Sequence, residues 1–178
     1  MHNSNRGFTL VEMAIVLVII GIILGAVIKG QDLIQGAQAK SVLQIPAKWE
    51  VPIWGFYDKM GYLPGDSGRS GNIQSFAQLQ SDLQNNSFTL PASTISGVNN
   101  TVESLTTVCG QTITRNVMLL TNVPLATAKA LDANIDGTED GKTGRVRYCG
   151  TGTTGATAAN VWPTTDPVDV VYFFDKLP

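Results

Sequence analysis

From Phe8 to Ile28 nearly every position is apolar, and Glu12 is the one charged residue in the run. Read as a helix rising 1.5 Å per residue, these roughly 21 residues reach about 30 Å, the thickness of a bilayer's hydrocarbon layer. Beyond Lys29 the pattern changes. Ile34, Val42, Ile45, Trp49, Ile53, Phe56 and Met60 recur mostly three or four positions apart, which is the stripe of a helix with one face turned to a core. The spacing predicts one helix from Phe8 to about Met60, roughly 80 Å long. Pro46 and Pro52 each remove a helix hydrogen bond, but the stripe runs through both, which argues for kinks and not an end. Gly61 is a natural stop, and Leu63-Pro64-Gly65-Asp66 reads as a turn into the Gly/Ser loop 67–72.

Downstream, residues 73–90 predict a short amphipathic helix around Phe76, Leu79 and Leu83, and Pro124 to Leu131 predicts another with proline near its first turn. The strand-like stretches are 102–108, 111–120, 143–149 and 168–174, with hairpin-scale gaps that favour a small antiparallel sheet. The expected fold is α+β: a long N-terminal α-helix, its hydrophobic half protruding, packed against a small antiparallel β-sheet head. The chain divides into a polar leader (1–7), an apolar helix (8–28), an amphipathic stalk (29–60) and a head (61–178).

Composition narrows the function. A net charge of −2 with scattered Lys and Arg offers no basic block, so nucleic acid is not an expected partner. The single histidine, His2, lies in the leader; once that is removed, neither a His-dependent nucleophile nor a His-ligated zinc can be built. No enzyme is expected. Cys109 and Cys149 both lie beyond the apolar helix, on the side that would be outside the cytoplasm, and a disulfide is the plain reading. A reactive thiol or half of a metal site is the alternative, and C-x-x-C spacing is absent.

Glu12 is the informative residue. A carboxylate within an apolar span costs on the order of 2.5–3.5 kcal/mol and is retained where it has a partner. A cleaved secretory signal would be shorter and end at a small-residue site, and a simple tether leaves Glu12 unexplained. No basic side chain lies within the run. Cutting between Gly7 and Phe8 would supply an amine about one helical turn from Glu12, and in a staggered bundle the amine of one copy meets the acid of the next.

Arg6-Gly7-Phe8-Thr9-Leu10-Val11-Glu12 followed by an unbroken apolar helix resembles the processing site of type IV prepilins and of the pseudopilins of type II secretion systems. The resemblance covers residues 1 to about 45 firmly and the head loosely. It implies that a prepilin peptidase and methyltransferase cuts after Gly7 and methylates Phe8, and that Glu12 is needed for assembly. The precursor would be a single-pass protein of the bacterial inner membrane, in contact with lipid, its head periplasmic. Self-association with other pilins or pseudopilins at an inner-membrane assembly platform would then give a surface or periplasmic filament. The leading expectation is a major or minor pilin; the alternatives are a secretion pseudopilin and a membrane-anchored periplasmic binding module. Many members carry a kinking proline near the end of the span, where this chain reads Val27-Ile28-Lys29-Gly30-Gln31, so a bend would fall to Gly21, Gly25 and Gly30. Gly21 and Gly25 also match the small-xxx-small packing pattern, and chance spacing explains them equally well.

Asp132-Ala133-Asn134-Ile135-Asp136-Gly137 matches the first half of a calcium loop, with Asp140 near the ninth position, but Thr143 stands where the bidentate glutamate belongs. Asp132, Asn134, Asp136 and Asp140 are thus candidate calcium ligands against the reading of a simple turn. Some pseudopilins bind calcium in a head loop, which the resemblance carries over as an expectation. Asp166, Asp169 and Asp175 read as turn and surface charges. Trp49, Trp54 and Trp162 could stack sugars or single strands, although core packing or a subunit contact is the simpler account of the first two.

Overall fold

The structure is a computed structural model that describes residues 8–150 and 160–174. It contains two compact units, Met1–Gln38 and Ala39–Pro178. The first unit contributes most of helix α1 (Leu10–Leu43). Gly21, Gly25, Gly30 and Gly36 all lie inside this helix, so none of them interrupts it. Its side chains from Phe8 to Val27 are exposed, Leu10 by 90%, and its most apolar window has a mean hydropathy of 2.9, long and apolar enough to cross a membrane.

Helix α2 (Ile45–Met60) follows after a single turn residue, Gln44, whose carbonyl still accepts from the Lys48 N–H at 3.0 Å. Pro46 sits in the first turn, where its missing N–H would have had no partner. Pro52 lies within the helix, which continues to Gly61; there the backbone turns left-handed (φ 77°) and the N–H returns to the Tyr57 carbonyl at 2.7 Å. Neither proline ends the stripe.

The sheet has the order β1-β2-β3-β5-β4, every neighbouring pair antiparallel, with β1 Thr94–Ile95, β2 Val98–Leu105, β3 Arg115–Val123, β4 Val146–Arg147 and β5 Val168–Phe173. Ser96 and Gly97, both at positive φ, make the two-residue turn that joins β1 to β2. The expected strands are present, but β2 and β3 are displaced from 102–108 and 111–120, and β4 is much shorter than 143–149. The displacement arises because residues 106–114 form an irregular loop with one Val108–Gln111 bridge. The remaining helices are α3 (Phe76–Asn85), capped by the Ser75 hydroxyl, and α4 (Leu125–Asp136), one turn longer than expected.

The core sits on both faces of the sheet. Period-2 alternation sends Val98, Val102, Met118, Leu120, Val170 and Tyr172 to a cluster with Ile45, Trp49, Ile53 and Phe56 of α2, Leu79 and Leu83 of α3, and Leu131 of α4. Each such aliphatic or aromatic side chain contributes on the order of 1.5–3 kcal/mol. The intervening Val117, Leu119, Val171 and Phe173 form a second cluster, covered by Leu105, Val108 and the Cys109–Cys149 disulfide. That double burial explains why β3 and β5 read as nearly continuous apolar runs. Polar bonds fix how α2 lies on the sheet: Trp49 Nε1 donates to Asn100 Oδ1 at 2.6 Å, and Glu50 Oε1 accepts from Tyr172 Oη at 2.6 Å and pairs with Arg145.

The disulfide joins residues 40 apart in sequence and lids the second cluster. Replacing both cysteines by serine should lower stability by about 4 kcal/mol on loop-closure grounds. Thermal unfolding of the oxidised protein and the double variant checks this; equal melting temperatures would refute it.

Candidate functional site

At the start of α1, Thr9 and Glu12 bond reciprocally. Thr9 N–H and Oγ1 donate to Glu12 Oε2, each at 2.9 Å, and Glu12 N–H donates to Thr9 Oγ1 at 3.2 Å. This is a capping box: two otherwise orphaned backbone donors are satisfied, and a carboxylate stands in the first turn, where the helix dipole favours it. The T-x-x-E spelling of the box, Thr9 to Glu12, is the sequence signal for it. Both hydrogen bonds accepted by Glu12 fall on Oε2. Phe8 is 80% exposed beside it, while Gly7 lies outside the described residues. The site therefore offers one carboxylate, a free oxygen on it, and an apolar surface on either side.

The expected calcium residues are arranged otherwise than a calcium loop requires. Helix α4 runs on through Asp132 and Asn134 to Asp136, so these residues follow helical spacing. Asp132 turns inward and accepts from Gly141 N–H at 2.8 Å and Trp162 Nε1 at 3.1 Å. Asp136 accepts from the N–H groups of Arg145 (2.9 Å) and Val146 (2.8 Å), tying the helix end to β4. Asp140 accepts from Lys142 and Thr143 in its own turn. Among the described residues no group of three or more His, Cys, Asp or Glu side chains gathers to hold a metal ion. Asp166 accepts from the Leu125 N–H at the start of α4, and Asp169 from the Asn122 N–H; both stabilise turns. Asp175 lies outside the described residues.

Two buried aspartates face opposite environments. Asp132 is fully buried and its Oδ1 has no hydrogen-bond partner. Burial pushes its carboxyl above the usual range; the bonds from Gly141 and Trp162 offset this in part, and the Asp136 and Asp140 charges add to it. Asp66 is also buried, which alone would raise it, but the backbone N–H groups of Ser70 and Gly71 and the Ser70 hydroxyl outweigh that and hold it below the usual range. Stability linked to Asp132 is thus present below the unfolded carboxylate pKa and lost as pH rises through its folded value. Stability linked to Asp66 is present above the unfolded value and lost as pH falls through its folded one. Asp132→Asn should raise the melting temperature near pH 7 by a few degrees, about 1 kcal/mol, with the gain vanishing near pH 4. Asp66→Asn should cost about 1–3 kcal/mol near pH 7 and less in acid. Calorimetric scans of the detergent-solubilised protein across that range check both signs.

Residues 2–28 match the family described as the prokaryotic N-terminal methylation motif. No curated protein and no solved structure matches the chain. The matched segment holds Gly7, Phe8, Thr9 and Glu12 and ends with the apolar run, and the remainder folds as a long helix against a five-stranded antiparallel sheet. The chain thus carries, over residues 2–28, the prokaryotic N-terminal methylation motif that is the class III signal peptide of type IV pilins.

Proposed function

We propose that the chain is a structural subunit of a type IV pilus, made as an inner-membrane precursor with a periplasmic head, cut between Gly7 and Phe8, methylated on Phe8, and assembled through residues 8–28. The observation that carries this reading is the isolated carboxylate of Glu12 in an exposed apolar helix inside the matched motif. In water that surface would be an aggregation liability; in lipid, and then among copies of itself, it is covered. Cleavage supplies an ammonium on Phe8, and Glu12 of a neighbouring subunit neutralises it. Oε2 is engaged by Thr9 within the chain, and Oε1 is available to that second partner. The pair removes two charges that neither hydrocarbon nor a filament core would tolerate singly.

Processing and assembly are separable by mutation. Gly7→Val should leave an uncut precursor in the membrane. Glu12→Ala should be cut and methylated normally but reduce filament-incorporated protein by at least about tenfold, the loss of about 1.4 kcal/mol per contact or more. Mass spectrometry of sheared surface material reads both: wild type should yield a peptide beginning at methylated Phe8. Absence of that peptide from the surface fraction, with processed protein held in the periplasm, would assign the chain to a secretion pseudopilus; normal filaments without Glu12 would overturn the pairing itself.

A further inference from the structure

Arg69 has a backbone φ of 52°, an uncommon conformation for a bulky residue. The loop around it holds it there. Asp66, only 2% exposed, accepts from the Ser70 N–H at 2.9 Å, the Ser70 hydroxyl at 3.1 Å and the Gly71 N–H at 2.6 Å. Asn116 Nδ2 donates to the Gly71 carbonyl at 2.8 Å and ties the far end of the loop to β3. The Arg69 guanidinium lies over the Tyr62 ring, 5.0 Å from its centroid. Among the described residues no carboxylate forms an ion pair with it.

Trp54 and Tyr57 stand beside this loop on α2, 40% and 44% exposed; apart from Phe8 they are the exposed large aromatic side chains among the described residues. Their rings meet edge to face at 5.9 Å. Trp49 and Trp162, by contrast, are committed to the core by hydrogen bonds to Asn100 and Asp132. Trp54, Tyr57, Tyr62, Asp66, Arg69 and Asn116 line one cleft of about 360 Å³. A smaller cleft of about 260 Å³ shares Tyr62, Asp66 and Arg69 with it and adds Asp82.

We propose that this cleft binds a neutral oligosaccharide, the C–H face of one pyranose ring lying on Trp54 and its hydroxyls bonding to the Arg69 guanidinium and the tyrosine hydroxyls. A sugar ring is apolar on its faces and polar at its edges, and exposed aromatic rings beside a fixed fork of N–H donors meet both demands. The cation–π contact with Tyr62 restrains the guanidinium, and Arg69 remains exposed to a ligand. Anionic ligands are disfavoured because Asp66 and Asp82 line the smaller cleft together with Arg69, and the same charges disfavour a nucleic acid strand. The inference concerns residues of the second compact unit, Ala39–Pro178, and stands whether or not the chain forms filaments.

The test uses the processed, full-length protein in detergent micelles, with ¹⁵N-labelled tryptophan, titrated with cellotriose, maltotriose and the β-1,4-linked N-acetylglucosamine trimer. At least one should shift the Trp54 indole resonance saturably, with a Kd of about 0.1–10 mM, leaving the Trp49 and Trp162 resonances in place. Trp54→Ala and Arg69→Gln should each weaken calorimetric binding by about tenfold or more, and Val161→Ala should not change it. The proposal is overturned if none of the three sugars moves the Trp54 resonance at about 50 mM, a concentration above the weakest useful affinity. It is equally overturned if a polygalacturonate oligomer binds more tightly than every neutral probe, or if a peptide or second subunit competes for Trp54 while no sugar does. The resonance readout in the wild-type protein keeps the proposal exposed even if either variant fails to fold.

Discussion

Ile45, Trp49, Ile53 and Phe56 are spaced four, four and three residues apart, and all four are at most 1% exposed. The sheet could not be stable bare, since five strands with apolar side chains on both faces need two covers. Helix α2, with α3 and α4, supplies one; the loop closed by Cys109 and Cys149 supplies the other. Hydrophobic packing alone would let a helix slide along a sheet by a turn at small cost, because apolar contact is not directional. The polar bonds remove that freedom. Trp49 reaches Asn100 on β2, and the next residue, Glu50, reaches Tyr172 on β5 and Arg145 just before β4, farther along the same sheet. Arg145 in turn bonds the carbonyls of Phe173 and Phe174, so the end of β5 is held by the same group.

How much of this was legible in the sequence depended on the range of the interaction concerned. The apolar span, the α3 stripe and the stripe read from Ile34 to Met60 are local periodic patterns; they appear where the periodicity places them, except that Ile34 and Met60, at the ends of the last, are exposed. The two cysteines were paired on compartment alone, and the structure joins them. Strands β1 and β4 have two residues each and carry no periodicity to detect; they exist because β2 and β5 present edges to them. The shift at β3 has a local cause that a pattern count overlooks. Asn122 adopts φ 63° between Leu120 and Val123, and the register with β5 shifts across it. The segment from Asp132 to Gly137 is ambiguous for a different reason: alternating oxygen side chains before a glycine look alike whether the segment is a loop or the end of a helix, and here Gly137 caps a helix.

The acidic residues of the head illustrate how environment, and not residue type, sets a role. Asp66 is surrounded by backbone N–H groups in a loop with several turns, so the charged form is welcome and the loop is organised around it. Asp132 sits at the junction of α4, the Gly141 turn and Trp162, where it has two donors but also an oxygen with none. Gly141 is required at that junction, since a Cβ there would lie 2.9 Å from the Trp162 ring and its φ is +67°. Asp132 therefore trades solvation for the close packing of a helix end on a loop, and the trade is affordable because its charge is not obligatory.

The same reasoning bears on the precursor. A carboxylate that waits for a partner must survive in the membrane before the partner exists, and an unpaired charge there costs on the order of 2.5–3.5 kcal/mol. The capping box lowers that cost in advance. Thr9 supplies two donors to Oε2, and the helix N-terminus supplies a favourable field, so Glu12 near the end of the span is held by its own chain. Because both bonds use one oxygen, accepting an ammonium from a neighbour would not require the cap to break. Capping and intersubunit pairing are then successive uses of one side chain. On the proposed pairing, Thr9 would act beside Glu12, since without its donors the acid would enter the bilayer with neither partner.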